Sequence, residues 1–348
     1  MSAAFDRARF DRQVRYAPLG EVGQARLAEA SVLLVGVGAL GGVLAQNLTR
    51  AGVGRLVLCD RDLVELSNLP RQVLFEDAHA ARGEAKVTAA LESLERIGGP
   101  TRLEGHVTHV DASNLPELAA GCDLVLDGTD NLATRYLLND LACREGVPWI
   151  YGGVVGSGGL VLPVAPGHGA CLRCVFPDPP PPGSLPTCDT AGVLPPAVGA
   201  IASLQAGAAL RLLAAGPDDA FAPKLLQLDV WSGSALALDA PRRDDCPACG
   251  PGVGAGRYDF LDAPPGRDPV VLCGRNTVQL APAGGRPDLA AVAARARDFA
   301  DEVHDLGSML RFTVEGAVLT LFPDGRCLVE GTDEPDRARA LRDRYVAG

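Results

Sequence analysis

The sequence is poor in several features. No uninterrupted apolar run reaches the ~18 residues of a membrane span, because charged residues break each candidate. The N-terminal stretch MSAAFDRARFDRQVRY is charged and contains no apolar signal core. A surplus of positive charge is also missing. The formal net charge is −11, and since phosphate contacts supply most nucleic-acid affinity, direct nucleic-acid binding is not expected. Histidine is scarce: His79, His106, His109, His168 and His304 are the full set, and none sits in a strand-end motif. No convincing internal repeat is present. These absences make a soluble, cytoplasmic protein without membrane contact the expectation.

What is present reads as an α/β chain. With 348 residues, 47% of them hydrophobic, it can bury one large domain and a smaller one. Residues 1–30 look helical. Strands are expected at about 31–36, 55–60, 101–110, 122–130 and 148–155, with helices at 39–51, 79–97 and 131–145 between them. This alternation predicts a doubly wound, Rossmann-like, mostly parallel sheet. Antiparallel strands at 159–165 and within 224–240 would continue it, around a helix at 196–214. The segment 176–196 holds eight prolines and is expected to be a long irregular loop. The domains are thus expected at 1–250 and 270–348, joined by a Gly/Pro-rich linker at 251–269, the second being a small α+β unit. In that unit a helix is expected at 287–303, short strands meet at turns Glu315-Gly316 and Asp324-Gly325, and a last helix spans 334–345.

The first strand runs into Gly36-Val37-Gly38-Ala39-Leu40-Gly41. Glycines at these spacings let the backbone turn tightly and approach a phosphate at a helix N-terminus. Asp60 ends the second strand, placed to hold ribose hydroxyls. To this point NAD and ATP are served equally. The next residues favour a triphosphate. Asn68, Arg71 and Lys86 follow, and DGTDN places Asp127 and Asp130 at the end of a strand. A dinucleotide's pyrophosphate is served by backbone N–H groups, whereas a triphosphate carries about four negative charges and calls for cations and a Mg²⁺ ligand. The competing readings are a surface ion pair for Lys86, a helix cap for Asp130 and a solvated face for Arg71. Transfer of a nucleotide to a carboxylate needs no histidine base, because the carboxylate is already ionised.

Two C-x-x-C pairs, Cys171/Cys174 and Cys246/Cys249, can wrap four thiolates around Zn²⁺. Four thiolates leave no open position, which makes such a site structural. Two unrelated thiol pairs or a redox disulfide are the alternatives.

The run FDRQVRY, GVGALG, SNLPRQ, GEAKV, DGTDN, TCDTAGVLPP and the two cysteine pairs, over about residues 8–250, resembles the ThiF/MoeB/HesA family, relatives of ubiquitin-activating enzymes. The resemblance implies an adenylyltransferase that uses Mg·ATP to activate the C-terminal glycine of a small ubiquitin-like sulfur carrier ending in Gly-Gly, with release of pyrophosphate. Carried over by position, Gly36, Gly38 and Gly41 would line the nucleotide and Asp60 would bind ribose. Asn68, Arg71 and Lys86 would contact phosphates, Asp130 would hold Mg²⁺, and the four cysteines would hold a structural zinc. Arg12, otherwise an ordinary surface charge, would reach into the ATP site of a neighbouring subunit, which implies a homodimer. Cys188 would receive the carrier on its way to a sulfur donor, or be a loop thiol without chemistry. Pro70 stands where Gln is common in the family. Cys273 is read as a structural cysteine, since the unit after residue 256 looks too short for a sulfur-transfer domain. The rival functions are an NAD-dependent oxidoreductase, a non-enzymatic scaffold that docks a carrier, and an enzyme of the same fold acting on a peptide C-terminus or a tRNA base.

Overall fold

Apolar residues run without alternation through the inner strands, because both faces of their sheet are covered. The computed structural model describes residues 5–346 apart from 181–183, 185, 187, 217–223, 264–269, 273–275, 283–284 and 308, and leaves out the side chains of 188, 189 and 270–272. The strands of the first sheet are β1 (Ser31–Val35), β2 (Arg55–Asp60), β3 (Arg102–Val107), β4 (Leu124–Asp127), β5 (Trp149–Val155), β6 (Gly158–Val164), β7 (Lys224–Asp229) and β8 (Ser234–Asp239). Their order is β3-β2-β1-β4-β5-β6-β7-β8. The pairs from β3 to β5 are parallel and those from β5 to β8 antiparallel. This is the mixed architecture expected from the sequence.

Alternate residues of one strand serve opposite cores. Leu33, Val35, Val57, Val125 and Trp149 pack with the helix Leu132–Glu145 and the cysteine pairs. Val32, Leu34, Leu56, Leu126 and Ile150 pack with the helices Ala39–Ala51, Lys86–Ile97 and Pro195–Ala215. The strand order reverses between β1 and β4, and the crevice at the carboxyl ends of such neighbours is where open α/β sheets bind ligands.

Several elements differ from expectation for local reasons. The helix expected at 79–97 is two, Asp77–Ala81 and Lys86–Ile97, because Gly83 lies between them at φ +58°. Residues 1–30 hold the helices Asp11–Val14 and Gly20–Glu29. Among the described residues of the proline-rich segment the chain makes a short helix, Cys188–Ala191, and Pro195 and Pro196 open the helix Pro195–Ala215, where a missing N–H does no harm. That last helix, by length and composition alone, is apolar enough to cross a membrane. Val198, Ile201, Ala202, Ala209 and Leu212 instead bury it against the sheet.

Contacts divide the chain into two units, residues 1–179 with 191–262, and 180–190 with 263–348. The start of the expected linker belongs to the first unit. Tyr258 and Leu261 are buried there, and the Phe260 N–H donates to Asp140 Oδ2 at 2.9 Å. Residues 264–269 of that linker, and Cys273, lie outside the described residues. The second unit carries β9 (Val270–Leu272), β10 (Thr277–Leu280), β11 (Glu302–Asp305), β12 (Leu310–Val314), β13 (Ala317–Leu321) and β14 (Cys327–Glu330). They form one antiparallel sheet in the order β11-β12-β13-β14-β10-β9, with helices Leu289–Ala296 and Pro335–Tyr345. The helix expected at 287–303 stops early because its last residues turn into β11. Glu315 and Gly316, at φ +50° and +73°, make the tight turn between β12 and β13.

Burying a tyrosine and a leucine contributes about 3–5 kcal/mol. A chain ending at residue 250 is therefore expected to melt on the order of 6–20 °C below one ending at Asp262, as calorimetry would show. Equal melting temperatures would mean that 251–262 is a free linker after all.

Candidate nucleotide site and cysteine cluster

Backbone contacts build the floor of the crevice. Gly36, at φ +88°, follows β1, and its N–H donates to Cys59 O at 2.8 Å. A Cβ on Gly41 would lie 2.0 Å from the Gly36 carbonyl oxygen, and one on Gly128 would lie 2.2 Å from the same atom. The Gly128 N–H in turn donates to Val35 O at 2.8 Å. The glycine loop and the DGTDN loop thus touch backbone to backbone. Gly38 begins the helix Ala39–Ala51 and has no side chain to cap its first-turn N–H groups, the arrangement that receives anions.

Asp60 ties this loop to the next one. Its Oδ2 accepts from Val37 N–H at 2.7 Å and its Oδ1 from Asp62 N–H at 2.8 Å. Burial pushes its carboxyl above the ordinary carboxylate range, while the nearby Lys86 charge pulls the other way. Lys86 opens the helix Lys86–Ile97, and its Nζ lies 3.0 Å from Asp62 Oδ2 with only 8% of the side chain exposed. The competing reading was a surface ion pair; the pair exists but is buried. Asn68 is buried at the end of the one-turn helix Leu66–Asn68, where its Oδ1 accepts from Glu65 N–H at 3.2 Å. Arg71 is half-buried, with Nη1 donating to Ser67 O at 2.8 Å.

The two strand-end aspartates separate. Asp127 is fully buried: Arg135 Nε donates to its Oδ2 at 2.9 Å, and Thr129 N–H and Oγ1 donate to its Oδ1 at 2.9 and 2.7 Å. It organises the loop and does not face a ligand. Asp130 is exposed, and the cap of the following helix is Asn131, whose Oδ1 accepts from Ala133 N–H at 2.8 Å. The capping role weighed for Asp130 therefore falls to its neighbour. Arg135 was missed from sequence. Its Nη2 also donates to Thr129 O at 2.8 Å and Gly152 O at 2.9 Å, and its guanidinium lies 5.0 Å from the Tyr151 ring. The available signal was a charge directly before the core-facing run Tyr136-Leu137-Leu138.

The four paired cysteines converge across 71 intervening residues of sequence. Their Sγ atoms approach at 3.9 Å (Cys171–Cys174), 3.6 Å (Cys171–Cys246) and 3.4 Å (Cys174–Cys249), and all four are buried. Zinc–sulfur bonds of about 2.3 Å in a tetrahedron require sulfur separations of roughly 3.8 Å, so the group fits such an ion. A second cluster, His79 with Glu84 and Glu92, also brings ligand atoms within 4.8 Å. There His79 Nδ1 accepts from Glu76 N–H, which assigns the ring proton to Nε2, and Arg82 binds both carboxylates. That cluster is accounted for by ion pairing.

Two expected residues are not drawn into this site by any described contact. The Arg12 side chain is 89% exposed, with Nη1 4.0 Å from Asp11 Oδ2. Cys188 belongs to the second unit, and its side chain lies outside the described residues.

Breaking a buried ion pair costs about 3–5 kcal/mol. Arg135→Met is therefore expected to lower unfolding free energy by that amount in a denaturant titration, with partial recovery in Asp127→Asn/Arg135→Met. A loss under about 1 kcal/mol would show that the pair is not what holds the DGTDN loop.

The ThiF family model matches residues 10–248. The sulfur carrier protein ThiS adenylyltransferase of Bacillus subtilis (strain 168) is 37% identical over 341 residues, 97% of this chain and 99% of that protein. The sulfur carrier protein adenylyltransferase of Thermus thermophilus is 39% identical over 247 residues, 70% of this chain and 90% of that protein. Among solved structures, E. coli MccB with ATP superposes with a TM-score of 0.60 at 19% identity, covering 70% of this chain and 74% of that one, a likeness of fold. With a family match across most of the first unit and a relative aligned along almost its whole length, this chain belongs to the ThiF family.

Proposed function

We propose that this chain is an ATP-dependent adenylyltransferase that activates the C-terminal glycine of a ubiquitin-like sulfur carrier protein and releases pyrophosphate. The observation that carries this reading is a buried ammonium, Lys86, linked through Asp62 to the Asp60 carboxylate under the glycine loop. A dinucleotide's pyrophosphate is served by backbone N–H groups at the helix N-terminus and does not call for a buried ammonium. The names borne by the relatives point the same way. The glycine loop and Asp60 would serve an oxidoreductase equally, and it is Lys86 that favours the triphosphate.

In this reading the carrier's terminal carboxylate attacks the α-phosphorus of ATP, the bond to the bridging oxygen breaks, and the electron pair leaves with pyrophosphate. Gly36, Gly38 and Gly41 admit the phosphates to the helix N-terminus. Asp60 holds the ribose. Asn68, Arg71 and Lys86 meet the phosphate oxygens and offset the charge that grows on the leaving group. Asp130, exposed in the loop after β4, would hold Mg²⁺, which when bound neutralises phosphate charge. Arg12, reaching outward from its own subunit, would complete the site of a second copy in a homodimer. Cys188 would accept the activated carrier before a sulfur donor acts. Cys171, Cys174, Cys246 and Cys249 would hold a structural zinc.

Asp130→Ala is expected to lower carrier-dependent ATP–pyrophosphate exchange by at least about 100-fold while melting like the parent. Cys188→Ala should leave exchange within about twofold; a folded Cys188→Ala protein without exchange would require a different role for that thiol. For the cysteine cluster, elemental analysis should find one zinc per chain, lost in Cys246→Ser together with thermal stability. A full-strength, metal-free protein would remove zinc from the account.

A further inference from the structure

We propose that Asp62 is a positioning residue that holds the Lys86 ammonium in place for the nucleotide's phosphates, an inference that rests on the adenylation reading above. Asp62 is joined to Lys86 twice. Its backbone carbonyl accepts from Lys86 N–H at 2.9 Å, and its Oδ2 lies 3.0 Å from Lys86 Nζ. The register is set by a short antiparallel contact: Leu63 bridges Ala85, and Val64 N–H donates to Glu84 O at 2.8 Å. Through its own N–H, Asp62 also holds the Asp60 carboxylate at 2.8 Å. One residue thus ties the carboxylate assigned to ribose to the cation assigned to phosphate.

Burial and composition make the same point. The Lys86 and Asp62 side chains are 8% and 20% exposed, and an ammonium so enclosed needs a fixed counter-charge. The chain holds only two lysines, Lys86 and Lys224, among its 32 basic residues. At nearly every other site arginine serves. A compact ammonium on a flexible stem, with three donors, is a different tool from a planar fork. Fixing that stem in advance removes rotamer freedom that would otherwise be lost as the transition state forms.

The Asp62 charge opposes anion binding while its contact places the cation, so the two effects separate in kinetics. In Asp62→Asn, kcat for carrier-dependent ATP–pyrophosphate exchange should fall about tenfold, with KM for ATP changed by less than about threefold. In a Lys86→Met background the same substitution should cost less than about threefold, since the residue it acts through is gone. A tenfold loss in both backgrounds, or a loss confined to KM, overturns the proposal.

A second readout needs no activity. With two lysines in the chain, acylation by an amine-reactive ester can be followed at Lys86 against Lys224, whose side chain is 46% exposed. The Lys86/Lys224 rate ratio should rise at least about threefold in Asp62→Asn and return in Asp62→Glu, which keeps the charge. An unchanged ratio in the folded Asn variant, or no return in the Glu variant, overturns the proposal. A parent protein that exchanges no pyrophosphate with any Gly-Gly carrier would refute the adenylation reading, and the acylation ratio would still decide whether Asp62 holds Lys86.

Discussion

The carbonyl oxygen of Gly36 is the tightest point of the fold. Neither Gly41 nor Gly128 has room for a single extra carbon beside it. That contact brings the end of β1, the first turn of the helix Ala39–Ala51 and the loop after β4 to one place. The crevice exists because these three backbones can approach so closely. Asp60 then fastens the loop after β2 to the same floor, and Asp127 with Arg135 fastens the loop after β4 from below. Side chains that face the crevice are carried by loops already tied down at their roots, which is the preorganisation that charge stabilisation requires.

The inner strands of the sheet were legible because both of their faces are buried and they announce themselves as short apolar runs. Asp60 and the glycine loop were legible because backbone geometry imposes residue type there. Asp62 and Arg135 were not. Each acts by touching another residue, Lys86 and Asp127 respectively, and neither pairing is visible before the fold brings the two side chains together. Asp127 and Asp130 look equivalent in DGTDN, and only burial separates them. The break at Gly83 shows the limit of periodicity, since an apolar pattern can continue in register across two helices. The end of the first unit was misplaced by composition: residues 251–262 are rich in glycine and proline, yet Tyr258, Phe260 and Leu261 pack into the core.

The helix Leu132–Glu145 links two of these features. Fourteen residues long, it spans about 21 Å. Its amino end follows Asp130 directly. Its carboxyl half is clamped from several directions: Asn139 accepts from Leu172 N–H, Asp140 from Phe260 N–H, and Cys143 O from Gly254 N–H. Arg173, between two of the clustered cysteines, lies 3.7 Å from Asp140 and 3.2 Å from Asp259. The helix is therefore a strut gripped at both ends, since Arg135 in its first turn holds Asp127, Thr129 O and Gly152 O. A disturbance of the cysteine cluster would reach the crevice along one rod, through Arg135 and the loop it holds, of which Asp130 is a part.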